Sequence, residues 1–271
     1  MKVLKYVALG LVAVSLAFVA SAQTPRKLIV GASPVPHAEI LEFVKPIVAK
    51  QGVDLDIRVF TDFIQPNVQL GTKQLDANYY QYRPFLNEWN RERGTDFVTI
   101  VPVHIEPYVA YSKKITDISQ LKDGATVAIP NDPVNGGRGL LTLQALGLIK
   151  TKGKPTLDTP DDPLPTLKDV IENPKKLKII ELESAILPRT LSQVDLAALN
   201  GNYVLEAKLP LEKSLYIDKG QDGKNIWAEY LVTRPEKKDD PAIRILGEAL
   251  NSDATREFIK EHFKGAIYPA F

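Results

Sequence analysis

A strand, a helix and a second strand follow one another in residues 27–59, which read KLIVGASPVPHAEILEFVKPIVAKQGVDLDIRV. Lys27–Val30 is a short apolar run, and apolar residues then recur at helical spacing over His37–Gln51. In Leu55–Val59 apolar residues alternate with charged ones, which is strand periodicity. A strand–helix–strand order predicts a parallel sheet with helices on its faces, so the fold class expected is α/β.

The same alternation continues to the end of the chain. We expect further helices at Phe85–Arg93, Gly139–Ile149, Pro241–Leu250 and Ala254–Phe263. We expect further strands at Val98–Val103, Tyr108–Tyr111, Thr126–Pro130, Lys178–Leu182, Asp195–Leu199 and Ile226–Thr233. The segment Thr151–Thr166 is rich in proline and aspartate and predicts an exposed loop.

The N-terminus predicts export. Residues 1–22 combine two lysines, the apolar run Val7–Ala20 and the small residues Ala20–Ala22, which is typical of a signal peptide cleaved before Gln23. The alternative is a membrane anchor, for which the run is short, because a span needs about 20 apolar residues.

Composition narrows the possible partners and the location. The chain has no cysteine, so we expect neither disulfides nor a lipid anchor on an N-terminal cysteine. The formal net charge is +1 with no long block of one sign, which does not favour nucleic-acid binding. We therefore expect a monomer that diffuses freely in the periplasm after cleavage of its signal peptide.

One candidate site lies where a predicted strand meets a predicted helix. Residues 128–141 run from strand through a turn rich in Asn, Asp, Pro and Gly, and include Asn135 and Arg138. Free N–H groups at a helix start attract anions, and an arginine fork matches a carboxylate. The pattern predicts an acid-binding site, with a surface arginine beside an ordinary glycine-rich turn as the alternative.

Two other stretches carry candidate binding residues. Strand alternation would send Tyr80 and Tyr82 to one side, where rings can wall an apolar pocket, whereas Tyr79 and Phe85 could simply fill a core. Asn200 ends a predicted strand, which is where ligands bind in open α/β sheets, although an Asn-Gly turn is also common there.

The inventory of catalytic residues is thin. The histidines are His37, His104 and His262, and their spacing is not that of metal ligands. For His37, a capping or packing role is the simpler interpretation. No phosphate-binding or nucleophile motif occurs in the sequence. We therefore predict no catalytic residue, no metal and no cofactor.

Together these stretches resemble the methionine-binding proteins of bacterial ABC importers, the NlpA/MetQ group. The resemblance covers nearly all of the chain after the signal peptide and is carried by blocks in the same order: Val30–Leu41, Phe60–Asn67, Leu75–Pro84, Tyr111–Lys114, Leu121–Arg138, Glu172–Pro174 and Asn200–Tyr203.

The resemblance implies a two-lobed, type II-like periplasmic binding protein fold with the ligand in the cleft between the lobes. The first lobe would comprise residues 27–112 plus 226–271, and the second 113–225. It also implies a binding protein rather than an enzyme, which delivers an amino acid to a membrane permease and its ATPase.

The resemblance also implies pocket residues. Arg138 matches the arginine that grips the α-carboxylate, Asn200 matches a pocket asparagine, and Tyr80 stands where the family has phenylalanine. The chain departs from the family pattern at further positions, which are Phe63, Tyr82, Phe85, Trp227 and Glu229. Because Glu229 replaces an asparagine, its carboxylate could pair with a ligand ammonium group.

These departures leave the ligand open. Methionine or a related amino acid is the leading hypothesis, and another amino acid, a dipeptide or a similar carboxylate is the alternative. An enzyme on the same fold is a further hypothesis, for which the sequence offers no paired acid and base. A surface or chaperone-like protein that has lost transport is the third.

Overall fold

The computed structural model describes residues 25–153, 156–157, 163–220 and 226–271. The predicted signal peptide and part of the predicted loop at 151–166 lie outside these residues. Within the described part of the chain, no helix has the length and apolar character that a membrane span needs.

Strands and helices alternate along most of the chain. The strands are β1 (Arg26–Ala32), β2 (Val53–Val59), β3 (Ala77–Tyr82), β4 (Val98–Ile105), β5 (Tyr108–Tyr111), β6 (Thr126–Pro130), β7 (Lys150–Thr151), β8 (Val170–Glu172), β9 (Lys178–Leu182), β10 (Leu196–Asn200), β11 (Tyr216–Asp218), β12 (Ala228–Thr233) and β13 (Tyr268–Pro269). The α-helices are α1 (Glu39–Ala49), α2 (Gln65–Gly71), α3 (Arg83–Arg93), α4 (Pro133–Ala145), α5 (Leu187–Thr190), α6 (Gly201–Glu206), α7 (Pro241–Leu250) and α8 (Asp253–Phe263). A π-helical turn, Pro34–Ala38, precedes α1, and short 3-10 turns are Ile118–Gln120, Leu167–Asp169, Ser184–Ile186, Leu211–Lys213 and Pro235–Lys237.

A six-stranded sheet is built from both ends of the chain in the order β13-β4-β12-β3-β1-β2. Strands β2, β1 and β3 are parallel, which confirms the prediction made from residues 27–59. The C-terminal strand β12 inserts antiparallel between β3 and β4. The carboxyl ends of β1, β3 and β4 and the start of β12 therefore lie along one edge of this sheet.

A five-stranded sheet, in the order β11-β5-β10-β6-β9, is built from the middle of the chain. Strand β5 pairs antiparallel with β10 in this sheet. The predicted first lobe includes Tyr108–Tyr111, whereas this strand pairs in the five-stranded sheet, because the chain crosses between the sheets at Glu106 and Pro107 before the strand begins. The division into lobes stays a prediction. A two-stranded sheet of β7 and β8 completes the pairing among the described residues.

Each large sheet has its own apolar core. Helices α1, α7 and α8 pack on one face of the six-stranded sheet through residues such as Leu41, Leu246 and Ile259. A separate core in the five-stranded sheet includes Leu140 of α4 and Leu196 of β10. Two independently packed units thus meet where their strands end.

Candidate functional site

A cavity lies between the two sheets, beside the crossing at Glu106 and Pro107. In this structure the lining side chains close around it and leave room for about one water molecule, about 10 Å³. The residues that line it are His37, Phe63, Tyr80, Gln81, Tyr82, Phe85, Glu106, Pro107, Asn135, Arg138, Asn200, Gly201, Asn202 and Glu229. Eight of the candidate binding residues named from the sequence are among them, whereas Trp227 is not, and the role of the eight in binding stays a prediction: Phe63, Tyr80, Tyr82, Phe85, Asn135, Arg138, Asn200 and Glu229.

Arg138 lies on the second turn of α4, and not at the start of a helix as predicted. The helix begins earlier because Asp132 accepts a hydrogen bond from the Asn135 N–H at 2.8 Å and Pro133 occupies the first helical position. The glycines are part of the helix, and they allow it to pack closely on β6. A Cβ on Gly136 would lie 2.7 Å from the Pro130 carbonyl oxygen. The helix start therefore carries its own acidic cap.

The guanidinium of Arg138 is held by a carboxylate and by aromatic rings. Its Nη2 donates to Asp218 at 2.9 Å, and both side chains are buried. Its Cζ lies 4.2 Å from the Trp227 ring centroid and 4.8 Å from that of Tyr108. Nε of Arg138 has no hydrogen-bond partner within the protein. The arginine is thus fixed in place, and its Nε–H donor is left without a partner.

Asn135 connects the two sheets. Its side-chain oxygen accepts a hydrogen bond from Asn200 Nδ2 at 2.6 Å and another from the Tyr82 hydroxyl. Tyr82 belongs to β3 of the six-stranded sheet, whereas Asn135 and Asn200 follow strands of the five-stranded sheet. Asn200 keeps an oxygen without a partner in the protein. These polar groups face one another across the cavity.

Aromatic rings form the apolar wall. The ring centroid of Phe63 lies 6.1 Å from that of Tyr80, 6.1 Å from that of Phe85 and 5.0 Å from that of Tyr203. The Tyr80 hydroxyl donates to the Phe63 carbonyl oxygen at 3.1 Å, which fixes its ring. Such a wall suits an apolar ligand side chain.

A buried acidic group forms the opposite end. His37 Nε2 lies 3.5 Å from Glu106 Oε1 and 3.6 Å from Glu229 Oε2. Burial lowers the pKa of His37 to about 4, against the attraction of Glu106. Burial also raises the pKa of Glu229 well above its usual value, with the repulsion of Glu106 adding to the shift. Burial raises the pKa of Glu106 as well.

Of this acidic end, the sequence indicated Glu229 but not Glu106 or His37. It favoured capping or packing for His37 and offered no paired acid and base, because residues 37, 106 and 229 come from three distant parts of the chain. Sheet register brings Glu229 opposite Tyr82 on one side and His104 on the other. A carboxylate inside the apolar run of residues 101–111 was the one signal in the sequence that could have indicated Glu106.

Three of these residues also have the composition of a metal site. His37, His104 and Glu106 place potential ligand atoms within 4.8 Å of one another. Both ring nitrogens of His104 are already engaged, however: Nδ1 bonds the Tyr79 hydroxyl and Nε2 lies 3.1 Å from Glu106 Oε1. The arrangement favours a structural hydrogen-bond chain behind the cavity.

The sequence matches the NlpA lipoprotein family over residues 28–271. The chain belongs to this family. It is 37% identical over 244 residues to the probable D-methionine-binding lipoprotein MetQ of Pasteurella multocida, covering 89% of this chain and 85% of that protein. It is 35% identical over 267 residues to the D-methionine-binding lipoprotein MetQ of Escherichia coli, covering 96% and 95%.

Solved structures agree with this assignment. A nutrient binding protein of Burkholderia cenocepacia bound to methionine superposes with a TM-score of 0.84 at 37% identity, covering 90% of this chain and all of that one. A periplasmic substrate-binding protein of an ABC transporter from Coxiella burnetii superposes with a TM-score of 0.81 at 35% identity, covering 90% and 100%. The predicted two-lobed α/β binding-protein fold is confirmed, and the relatives are binding proteins.

The comparisons contradict one prediction, that of a periplasmic protein without a lipid anchor. The family and both MetQ relatives are named lipoproteins. The prediction rested on a single compositional feature, the absence of cysteine from the chain. That feature does not outweigh membership in a family of lipoproteins.

Proposed function

We propose that this protein is the substrate-binding component of an ABC importer, and that it captures methionine or a related amino acid for a membrane permease driven by an ATPase. The observation that carries the proposal is the convergence of a fixed arginine, an aromatic wall and a buried acidic end on one small cavity. Methionine binding by the Burkholderia cenocepacia structure and the transporter role of the Coxiella burnetii protein support it.

An α-amino acid has three parts, and the cavity offers a surface for each. Arg138 keeps an unpaired Nε–H donor suited to a carboxylate, whereas the unpaired Oδ1 of Asn200 is an acceptor that suits an ammonium group. The rings of Phe63, Tyr80 and Phe85 suit an apolar side chain. Glu229 keeps Oε2 without a partner and suits an ammonium group. We assign these roles to the residues as part of the proposal.

The lobes would follow the two sheets, with residues 27–105 and 228–271 in one and 108–218 in the other. Ligand capture in the cleft would then be a binding event without chemistry. An enzyme on this fold would use His37 with Glu106 as acid and base, but the relatives are binding proteins. Within the family, a changed ligand is the stronger alternative, because Glu229 adds a charge to the pocket.

A thermal-shift screen of the protein tests the proposal. L- and D-methionine, the other common amino acids and methionine-containing dipeptides are each added at increasing concentration. A ligand at 100 times its dissociation constant should add about 2.7 kcal/mol to the free energy of unfolding. We expect at least one compound to raise the unfolding midpoint. A screen in which none does so would overturn the proposal, and a dipeptide acting alone would favour the changed-ligand alternative.

A further inference from the structure

Two carboxylates share one end of the cavity. Glu106 Oε1 and Glu229 Oε2 lie 3.5 Å and 3.6 Å from the same atom, His37 Nε2. The three residues are 5%, 5% and 1% exposed. Water therefore screens the repulsion between the two carboxylates only weakly, and each carboxylate raises the free-energy cost of ionising the other.

The one lining arginine does not balance them. Arg138 already forms a buried ion pair with Asp218 at 2.9 Å, so its charge is largely compensated. Burial keeps His37 and His104 neutral by lowering the pKa of each. The carboxylate of Asp132 is satisfied by hydrogen bonds at the start of α4, since it accepts from both the backbone N–H and the side chain of Asn135. Among the described ionisable groups around the cavity, the uncompensated ones are therefore the two glutamates.

The acidic end also holds polar atoms that the protein leaves without partners. Glu229 Oε2 and both ring nitrogens of His37 accept or donate no hydrogen bond within the protein. Buried polar atoms are normally paired, so these point to a ligand group that supplies the partners.

We propose that the pocket selects a ligand that carries one more positive than negative charge, with its cationic group held between Glu106 and Glu229. Because neither glutamate ionises easily beside the other, the pair carries about one negative charge beyond what the protein compensates. A zwitterionic amino acid has no net charge and leaves that negative charge without a counter-charge, which is unfavourable in a buried site. The net-cationic ligand is an amino acid with a second amine, because Arg138 is proposed to hold the carboxylate. The inference rests on the proposed function, because it takes the ligand to be an amino-acid-like compound.

A metal ion fits the same charge less well. The lining of the cavity includes aromatic rings as well as the two glutamates, and such rings are not metal ligands. His104 spends both nitrogens on Tyr79 and Glu106. An organic cation can contact the glutamates with its ammonium group and the aromatic rings with its apolar part.

Calorimetric titration at pH 7.5 with four probes tests the inference. L-Methionine is the zwitterion, 3-(methylthio)propylamine is the same molecule without its carboxylate, L-2,4-diaminobutyrate carries a second amine, and N-acetyl-L-methionine lacks the cation. We expect L-2,4-diaminobutyrate to bind at least tenfold more tightly than L-methionine, and N-acetyl-L-methionine not to bind. Tighter binding of 3-(methylthio)propylamine than of both amino acids would overturn the inference, because the carboxylate would then add no affinity.

Glu229→Gln provides the decisive comparison, because it removes one carboxylate with little change in shape. We expect it to weaken binding of L-2,4-diaminobutyrate at least tenfold and to weaken that of L-methionine less. Glu181→Gln is the matched control, since it makes the same charge change at an exposed position on β9 and should alter no affinity. Circular dichroism checks that each variant is folded.

The failures are distinguishable. L-Methionine binding as tightly as L-2,4-diaminobutyrate or more tightly, or equal losses for all ligands in Glu229→Gln, would overturn this inference and leave the proposed function standing. Absence of binding by all four probes would overturn both. Tight binding of zinc ions alone, weakened by Glu229→Gln, would overturn the inference in favour of a metal site.

Discussion

His37 is the residue around which the acidic end of the cavity is organised. Its ring packs edge-on against Tyr79 at 4.7 Å and His104 at 4.9 Å, and its Nε2 faces Glu106 and Glu229. A ring so enclosed resists protonation, so burial holds its pKa near 4 although a carboxyl group lies beside it. The neutral imidazole then leaves the charge of this region to the two glutamates.

This predicts a pH dependence of stability. A depressed histidine pKa contributes stability above the unfolded value of about 6.5, and that stability is lost as the pH falls from 6.5 towards 4. His37→Gln should reduce the loss in this window, by up to about 3 kcal/mol. Urea unfolding at a series of pH values measures it. A His37→Gln profile as steep as that of the wild type would contradict the account.

For Glu229 we expect the free energy of unfolding to change with pH in the opposite direction. Its pKa is raised by burial, so its contribution to stability is full below the unfolded value of about 4.3 and is lost as the pH rises through the folded value. Glu229→Gln should therefore unfold at higher urea concentration than the wild type at pH 8, and the difference should shrink towards pH 4. A variant that is less stable at pH 8 would show that the carboxylate is structurally compensated.

At the scale of elements, close backbone contacts set the positions of the binding groups. Helix α6 starts directly after Asn200, and a Cβ on Gly201 would lie 2.5 Å from the Pro107 carbonyl oxygen. The Asn202 N–H donates to Glu106 Oε2 at 2.7 Å over the same contact. The start of α6 is therefore in close contact with Glu106 and Pro107, where the chain crosses between the sheets.

Gly201→Ala should separate these elements. Because the obstacle is backbone, the strand end must shift, which we expect to cost about 1–3 kcal/mol of stability and to displace Asn200 and Asn202 in the cavity. Thermal unfolding and ligand titration measure the two effects. Glu206→Ala, at an exposed position in the same helix, is the control. An unchanged ligand affinity in Gly201→Ala would show that this contact does not position the binding residues.

Periodicity predicts the elements with long regular patterns well. The predicted strand at Thr126–Pro130 and the predicted helix at Pro241–Leu250 have the same bounds in the structure. Helix α4 starts six residues before its prediction, since glycines read as a turn where tight packing on β6 makes them helical. Short elements such as α2 and β13 carry too few residues for a periodic signal.

Some residues of the candidate site can be predicted from local sequence, and others cannot. Tyr80, Tyr82, Arg138 and Asn200 follow local patterns or blocks of sequence, and the structure places them around one cavity. Asp218 and Glu106 are brought there only by sheet pairing and by the crossings between the sheets. Long-range register of this kind has no local sequence signal, so the counter-charge of Arg138 was not predicted.

At the scale of the whole molecule, polar contacts join the two sheets across the cavity. Besides the bond from Tyr82 to Asn135, the Tyr203 hydroxyl of α6 donates to the Thr61 carbonyl oxygen, beyond β2, at 3.1 Å. In the proposed mechanism, these contacts stabilise the lobes in the arrangement that encloses a ligand.

Tyr203→Phe removes one such contact and keeps the ring beside Phe63. A hydrogen bond of this kind contributes about 1 kcal/mol, so we expect the ligand dissociation constant to rise about fivefold. Calorimetric titration measures the change, and unfolding of the ligand-free protein should shift little. A large loss of stability without a change in affinity would show that the contact serves the fold rather than the closed arrangement.

The central claim is that Arg138 holds the carboxylate of an amino acid in this cavity, and one double variant tests it most directly. Arg138→Gln alone would leave Asp218 as an uncompensated buried charge, which costs about 3–5 kcal/mol, so Asp218→Asn is combined with it to preserve the fold. The measurement is calorimetric titration of the amino acid identified by the screen into the wild type and the double variant. We predict one site in the wild type and at least a hundredfold weaker binding in a folded double variant. Equal affinity in the two proteins would contradict the claim.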